Sequence, residues 1–204
     1  DGELRATKDF TATVTPVNDA PVLDTIDDIT FDEDGSSGAI TLSASDVDGD
    51  NLTYSVNDEG NNLDINIDEN KLTITPDEHW NGQKEITVTV SDGKLGDTQT
   101  VNVTVIAVND PPTINNTINN QSTNEDETFN FEIAEDVFND IDGDTLSYSA
   151  TLTDSSVSWP DWVTFNKTNR TFTGTPLNDD VGDHNVEITV NDGAGGSVSQ
   201  TFTI

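Results

Sequence analysis

Two short loops in the sequence place aspartates at alternating positions around a glycine. Asp46, Asp48 and Asp50 surround Gly49, and the same Asp-x-Asp-Gly-Asp pattern returns over residues 140–144. Carboxylates at i, i+2 and i+4 can converge on one cation where glycine permits a tight bend. Calcium takes six to eight oxygen ligands from carboxylates, backbone carbonyls and asparagine side chains. Because a divalent ion would also relieve the repulsion between neighbouring carboxylates, the spacing predicts calcium binding.

A polar turn rich in aspartate is the alternative explanation of one such loop, since Asp and Gly are ordinary turn residues. The second copy weighs against that alternative. Each loop follows an apolar segment, and each precedes a Leu-x-Tyr-Ser segment, at residues 52–55 and 146–149. Two loops in the same context favour a calcium site over a plain turn at both places.

The composition of the chain limits its partners. The 204 residues include 40 Asp and Glu against 7 Lys and Arg, which gives a formal net charge of −33. This charge argues against nucleic acid and anionic membranes, because both require a basic surface. Either the charge keeps the chain soluble at high salt, or bound cations neutralise part of it. The absence of Cys excludes disulfides, thiol catalysis and thiolate metal sites.

An internal repeat organises the chain. The Asn-Asp pair at residues 18–19 returns at 109–110, and the Asp-Gly pair at 92–93 returns at 192–193. The Asp-Gly pair returns after a longer interval than the Asn-Asp pair, which indicates an insertion in the second copy of the repeat, around residues 154–161. Because the pattern is already under way at the first residue, we expect the chain to be a piece of a longer protein. The predicted segments are residues 1–17 as the last strand of a truncated preceding repeat, 18–108 as one repeat and 109–204 as another.

Short segments of alternating apolar and polar residues predict β-strands in each repeat. Ile86, Val88 and Val90, for example, alternate with threonines, as in a half-buried strand. No segment resembles a long amphipathic helix or a membrane span. About seven strands in a repeat of this length are typical of an immunoglobulin-like sandwich. The strands predicted in the first repeat are residues 40–44, 52–56, 63–67, 71–75, 85–91 and 98–106.

With its paired Asn-Asp and Asp-x-Asp motifs, the first repeat resembles the cadherin-like repeats of bacterial adhesins, which share the layout of animal cadherins. That family binds calcium between domains through an early Glu, an Asp-x-Glu-like segment, an Asn-Asp linker, an Asp-x-Asp loop and a late Asp. The resemblance implies an all-β fold of tandem immunoglobulin-like/cadherin-like Greek-key β-sandwiches with calcium at the junctions. Since Ala107 and Pro111 stand at the ends of this linker, we expect one or two ions per junction. The implied ligands are Asn18, Asp19, Asp46, Asp48 and Asp92 at the upper junction, and Glu33, Asp77, Glu78, Asn109, Asp110, Asp140, Asp142 and Asp192 at the lower one.

The second repeat carries three more specific segments. They are Trp-Pro-Asp-Trp-Val-Thr-Phe at residues 159–165, Thr-Phe-Thr-Gly-Thr-Pro at 171–176 and Asp-Val-Gly at 180–182. With them, residues 113–204 resemble the dystroglycan-type cadherin-like domain.

Taken together, the features predict a calcium-rigidified extender or cell-adhesion module of a large bacterial surface or secreted adhesin, outside the cell. The expected cofactor is Ca²⁺. The expected partners are adjacent repeats and a homophilic, host, biofilm or glycan surface, without membrane insertion. We expect no enzymatic activity, because His79 and His184 fall in different repeats and lack a catalytic motif.

A carbohydrate-binding module is the alternative function. It requires a solvent-facing aromatic platform with amides nearby, and Trp159 with Asn166 or Asn169 is the candidate. The other aromatic residues of this region, Trp162 and Phe172, together with Phe165, lie on short predicted strands. We expect those three to pack in the core.

The N-terminal segment from Leu4 to Thr15 has the pattern of a terminal strand without its own sandwich. The second repeat, in turn, stops at Ile204, a position that matches Val103. An unpaired strand edge is an aggregation hazard, so one expectation is that the segment docks on an edge strand of the same or a neighbouring molecule. The alternative is a boundary segment with no such contact.

Overall fold

A computed structural model describes residues 2, 5, 7–58, 60, 62–156 and 158–204. The chain divides into two compact units, Asp1–Ala107 and Val108–Ile204, called unit 1 and unit 2 below. Strands form both units, and the described residues contain one helix, a single 3-10 turn at Asn178–Asp180. The predicted all-β sandwich architecture is confirmed.

Unit 1 consists of two facing sheets and a short strand pair. One sheet has the order β2-β9-β8-β5, the other has the order β3-β7-β6, and β1 pairs with β4. β2 runs parallel to β9, while the remaining pairs are antiparallel. The strands are β1 (Val22–Leu23), β2 (Ile29–Asp32), β3 (Ile40–Thr41), β4 (Ala44–Ser45), β5 (Thr53–Asp58), β6 (Leu63–Asp68), β7 (Lys71–Pro76), β8 (Gly82–Ser91) and β9 (Gly96–Ile106).

The core of unit 1 follows from the two-residue period of its strands. Leu72 and Ile74 of one sheet, and Val88 and Val103 of the other, are completely buried. Their neighbours along each strand are more exposed, because successive side chains point to opposite faces of a sheet. Burial of these β-branched and aliphatic side chains holds the two sheets together.

The predicted strand at residues 40–44 is wrong in one respect. Residues Ile40–Thr41 pair with β7, whereas Ala44–Ser45 pair with β1. The completely buried Leu42 lies between them, and its backbone N–H donates to Asn70 O at 2.8 Å. The alternation of side chains continues through the segment, but its backbone hydrogen bonds change partner, so it forms two short strands.

Unit 2 repeats the arrangement with two three-stranded sheets and a short strand pair. The orders are β13-β16-β17 and β11-β15-β14, and β10 pairs with β12. Aromatic rings fill the core around Phe172, which is completely buried and lies 4.5 Å from Phe165 between ring centroids. The strands are β10 (Thr113–Ile114), β11 (Phe129–Glu132), β12 (Phe138–Asn139), β13 (Ser147–Leu152), β14 (Val163–Asn166), β15 (Thr171–Gly174), β16 (Asn185–Asn191) and β17 (Ser197–Thr203).

The long strand β9 separates two ends of unit 1. Its 11 residues span roughly 35 Å at about 3.3 Å per residue. Asp92 lies in the turn before the strand begins, and its backbone N–H donates to Leu95 O at 3.2 Å. Glu33 lies beside the far end, where its N–H donates to Ile106 O at 3.0 Å. The two ends of unit 1 are called the Asp92 end and the Glu33 end below.

The N-terminal segment forms no strand among its described residues; Leu4 and residues 1, 3 and 6 lie outside them. Among the described residues, β1 is the first strand. Phe10 is 89% exposed and Val14 is 91% exposed. The expectation that this segment docks on an edge strand of the same molecule is therefore wrong for its described part. Docking on a neighbouring molecule stays a prediction.

Candidate metal sites

The first aspartate loop folds around the carboxylate of Asp46. Asp46 Oδ1 accepts hydrogen bonds from the backbone N–H groups of Asp48 at 2.9 Å and Asp50 at 3.3 Å. Gly49 has φ 75°, which other residues adopt at a cost in strain. This turn brings one carboxylate oxygen from each of the three aspartates within 4.8 Å of the others. The convergence predicted from the i, i+2, i+4 spacing is therefore present in the fold.

The linker residues Asn18 and Asp19 are tied to this loop and to the turn before β9. The backbone N–H of Asp19 donates to Asp48 Oδ2 at 2.8 Å, and Asn18 Nδ2 donates to Asp92 Oδ2 at 2.7 Å. The Asp92 end of unit 1 thus gathers all five predicted ligands of the upper set. The Asn18–Asp92 contact joins residues 74 positions apart in the chain, and the Asp19–Asp48 contact joins residues 29 positions apart.

The carboxylate of Asp92 is held ionised by the donors around it. Its Oδ1 accepts from the backbone N–H groups of Lys94 at 2.6 Å and Leu95 at 2.7 Å. The Leu95 N–H, the Asn18 amide and the Lys94 N–H lower the pKa of Asp92 from 3.8 to about 2. At neutral pH this group is therefore a full negative charge beside the loop.

The second aspartate loop has the same internal hydrogen bonds as the first. Asp140 Oδ1 accepts from the N–H groups of Asp142 at 3.1 Å and Asp144 at 3.2 Å. Gly143 has φ 78°. The backbone N–H of Asp110 donates to Asp142 Oδ2 at 2.8 Å, just as the N–H of Asp19 donates to Asp48 Oδ2 in unit 1. The second loop is therefore tied to its own linker in the same way as the first.

Asp192 is the late aspartate of unit 2 and is only 6% exposed. Asn109 Nδ2 donates to its Oδ2 at 2.9 Å. The N–H groups of Ala194, Gly195 and Gly196 donate to its Oδ1 at 2.7, 2.9 and 3.0 Å. The Asn109 amide, helped by these backbone donors and opposed by burial, lowers the pKa of Asp192 below its usual range. These contacts, with those of the second loop, bring together all five predicted ligands that belong to unit 2.

One carboxylate oxygen in each loop has no protein donor. Asp46 Oδ2 and Asp140 Oδ2 are shielded from solvent and accept no hydrogen bond from any described residue. A buried charged oxygen without a partner is destabilising. The same oxygen is orphaned at equivalent positions of the two units. This donor set fits a hard, oxygen-ligated cation such as Ca²⁺.

The Glu33 end of unit 1 contains the other three predicted ligands of that unit. Glu33 is buried, and Asn81 Nδ2 donates to its Oε2 at 3.0 Å. Asp77 and Glu78 occupy the exposed turn after β7, where the N–H of Asp77 donates to Asn62 O at 2.8 Å. Unit 1 therefore divides its predicted ligands between its two ends.

Two residues that contact the predicted ligands were missed by the sequence analysis. Asn81, whose side chain donates to Glu33, stands in an Asn-Gly turn that the sequence analysis did not single out. Lys94 Nζ donates to Asn18 Oδ1 at 2.6 Å and lies 3.7 Å from Asp50 Oδ2. A lysine within the repeated Asp-Gly segment was the available signal, since the second copy has Ala194 there.

Trp159, the candidate aromatic platform of the alternative function, is not fully solvent-facing. Trp159 is half-buried against the core of unit 2, and its Nε1 donates to Val163 O at 2.8 Å. Asn166 Oδ1 accepts from the N–H of Thr168 at 3.0 Å within its own turn. The core assignment of Trp162, Phe165 and Phe172 is confirmed, because all three pack in the aromatic cluster.

A cavity of about 800 Å³ opens at the end of unit 2 that contains Ile204. Glu125, Trp162, Asp180 and His184 contribute to its lining. Trp162 Nε1 is shielded from solvent and has no acceptor among the described residues. The sequence analysis did not identify this cavity, because its lining comes from four separate segments of the chain.

Comparison with known proteins agrees with this architecture. Residues 18–104 match the family model described as "Bacterial Ig domain", and residues 111–204 match the one described as "Putative Ig domain". No curated protein sequence matches the chain.

Several solved structures are similar in fold. A structure of human protocadherin-24 EC1-2 has a TM-score of 0.57 and 18% identity, covering 90% of this chain and 96% of that one. Mouse cadherin-23 EC22-24 has a TM-score of 0.51 and 15% identity, covering 90% and 63%. An endo-fucoidan hydrolase from glycoside hydrolase family 107 has a TM-score of 0.39 and 22% identity. The match covers 91% of this chain and spans only 28% of the hydrolase.

The fold and these matches define immunoglobulin-like β-sandwich domains. The chain is a tandem of immunoglobulin-like repeats, and their fold is similar to that of cadherin domains. Among the described residues no helix has the length and apolar character needed to span a membrane.

Proposed function

We propose that both units are calcium-binding repeats that serve as an extender or cell-adhesion module of a large bacterial surface or secreted adhesin. The observation that carries the proposal is the pair of orphaned carboxylate oxygens, Asp46 Oδ2 and Asp140 Oδ2, at equivalent positions of the two units. A single orphaned oxygen would be a local irregularity. Two in the same motif indicate a shared requirement, which an oxygen-ligated cation satisfies.

In unit 1 the residues that would hold the ion are Asp46, Asp48 and Asp92 with the linker residues Asn18 and Asp19. Each of these linker residues already makes a hydrogen bond to one of the carboxylates. An ion held by the same carboxylates would bind the linker to the sandwich that follows it. A chain of such repeats would then be stiff, although fold alone does not determine what it adheres to.

In unit 2 the corresponding ligands are Asp140, Asp142 and Asp192 with Asn109 and Asp110. The Asp110 and Asn109 contacts to Asp142 and Asp192 repeat those of unit 1. Participation of Glu33, Asp77 and Glu78 at the Glu33 end stays a prediction, as does the dystroglycan-type character of unit 2. Bound divalent cations would also offset part of the self-repulsion of a chain with net charge −33.

Calcium titration by calorimetry of two matched variants tests the proposal. Asp46→Asn and Asp140→Asn each remove one charge with little change in shape. We expect each variant to lose the ion of its own unit and to retain that of the other. Asp64→Asn, which removes an exposed carboxylate of β6, is the control and should bind as the unaltered chain does. Unchanged stoichiometry in both loop variants would refute the proposal.

Carbohydrate binding is a second candidate function, and the cavity beside Trp162 favours it. Its volume of about 800 Å³ lies within the usual range for small-molecule sites, and the Trp162 side chain contributes to its lining. A glycan array with calcium and with chelator tests this candidate. Trp162→Phe replaces the indole in the lining with a smaller ring, so it should weaken any glycan binding that uses the cavity.

A further inference from the structure

We propose that Lys94 is a tethered competitor of the metal at the first aspartate loop, so that unit 1 binds divalent cations more weakly than unit 2. The inference rests on the proposed function, since it concerns the same sites. It adds a difference between them that neither the repeated motif nor the family resemblance predicts.

The ammonium of Lys94 already lies beside oxygen atoms of the Asp92 end. Its Nζ donates to Asn18 Oδ1 at 2.6 Å and lies 3.7 Å from Asp50 Oδ2. Asn18 is one of the predicted oxygen ligands, and Asp50 belongs to the converging carboxylates of the loop. Two positive charges on one small group of oxygens repel each other, so the ammonium must move away when a metal ion binds.

Unit 2 provides the internal comparison. The backbone N–H of Ala194 donates to Asp192 Oδ1 at 2.7 Å, just as the N–H of Lys94 donates to Asp92 Oδ1 at 2.6 Å. The two residues therefore occupy the same backbone position in their units. A methyl group at that position cannot compete with a cation. The Asp-x-Asp-Gly-Asp loop motif and the Asn-Asp linker are the same in both units.

The size of the effect follows from the exposure of Lys94. Its side chain is 65% exposed, so the ammonium can move into solvent when a metal ion arrives. Screening by water and salt then limits the difference in dissociation constant to about 3- to 10-fold at moderate ionic strength. The difference should shrink as salt concentration rises, because exposed charges are screened more strongly.

Reciprocal variants test the inference by calcium titration. Lys94→Ala is measured in a chain that also carries Asp140→Asn, so that the site of unit 1 remains. Ala194→Lys is measured in a chain that also carries Asp46→Asn, so that the site of unit 2 remains. We expect Lys94→Ala to tighten binding about 3- to 10-fold and Ala194→Lys to weaken it by a similar factor. Lys71→Ala removes an exposed charge of β7 and is the control, with an expected change below about twofold.

A second measurement avoids loop substitutions that impair folding. The backbone amide resonances of Gly49 and Gly143 report each loop separately in the unaltered chain. We expect Gly143 to respond at lower calcium concentrations than Gly49, and Lys94→Ala to bring the two transitions together. Equal transitions in the unaltered chain, or no shift beyond that of the control, would overturn the inference. Failure of both resonances to respond to calcium would instead defeat the proposed function.

Discussion

The two aspartate loops share a sequence pattern and a turn geometry, but the late turns linked to them differ. In unit 1 this turn carries Lys94, and two backbone N–H groups hold Asp92. In unit 2 it carries Ala194, and three backbone N–H groups hold Asp192, which is 6% exposed. The difference shows that equal motifs need not be equal sites, because residues outside the motif determine the local charge and burial.

The largest expected effect is the response of both units to calcium removal. A ligand present at a thousand times its dissociation constant stabilises the native state by about 4 kcal/mol per site. We expect chelator to lower the melting temperature strongly, and unit 1 to lose calcium first because of Lys94. Differential scanning calorimetry over a range of free calcium measures this. Identical melting curves in calcium and in chelator would contradict the prediction.

A second prediction concerns the close packing of the late turn in unit 2. A Cβ at Gly196 would lie 2.7 Å from Pro111 Cα and closer still to Asp192 Oδ2. Gly196→Ala should therefore destabilise unit 2 by about 1–3 kcal/mol, because backbone atoms must shift. Chemical denaturation in chelator measures the loss. Ser197→Ala, at the next and exposed position, is the control and should change stability little.

A third prediction separates the linker from the sandwich. Asp142→Ala removes the acceptor of the Asp110 N–H. We expect a loss of about 0.5–1.5 kcal/mol, which is the usual net contribution of one hydrogen bond, and faster hydrogen exchange at Asp110. Asp48→Ala should cause a similar loss of stability in unit 1 and faster hydrogen exchange at Asp19, because it removes the acceptor of the Asp19 N–H. Small-angle scattering in calcium should detect increased bending in Asp142→Ala; unaltered scattering would show that the ion does not stiffen the linker.

The smallest expected effect is a pH dependence of unit 1 in chelator. The pKa of Asp92 is lowered from 3.8 to about 2 in the folded state. A lowered pKa means that the carboxylate stabilises the fold above pH 3.8, and that this stabilisation is lost as pH falls towards about 2. Asp92→Asn should therefore be less stable than the unaltered chain at neutral pH. If the two stabilities fail to converge over that acidic range, the assigned hydrogen bonds to Asp92 are wrong.

Sequence reasoning predicted the aspartate loops because their geometry is local. Asp46, Asp48 and Asp50 lie within five residues, and Gly49 permits the turn that gathers them. The family resemblance added Asn18 and Asp92, whose contact joins distant parts of the chain. Neither source identified Lys94 as a competitor, since a lysine in a turn is ordinarily a solvated surface residue.

The outcome was different for elements whose role depends on long-range partners. Residues 40–44 have the alternation of one strand, but hydrogen bonds to two different strands divide them. Trp159 has the sequence context of an exposed loop aromatic, but the insertion folds it against the core, where Val163 O accepts its N–H. In both cases the choice between alternatives was made by a partner that no local pattern reveals.

The sequence by itself determined the sandwich class, the repeat and the positions of the acidic loops, because two-residue alternation and tight turns act over a few residues. Only the tertiary structure decided that Asp46 Oδ2 and Asp140 Oδ2 are buried without donors. It also decided that Lys94 reaches Asn18 and that Trp162 borders a cavity. Those properties arise when segments far apart in the chain pack together, and packing determines which polar atoms are shielded from water.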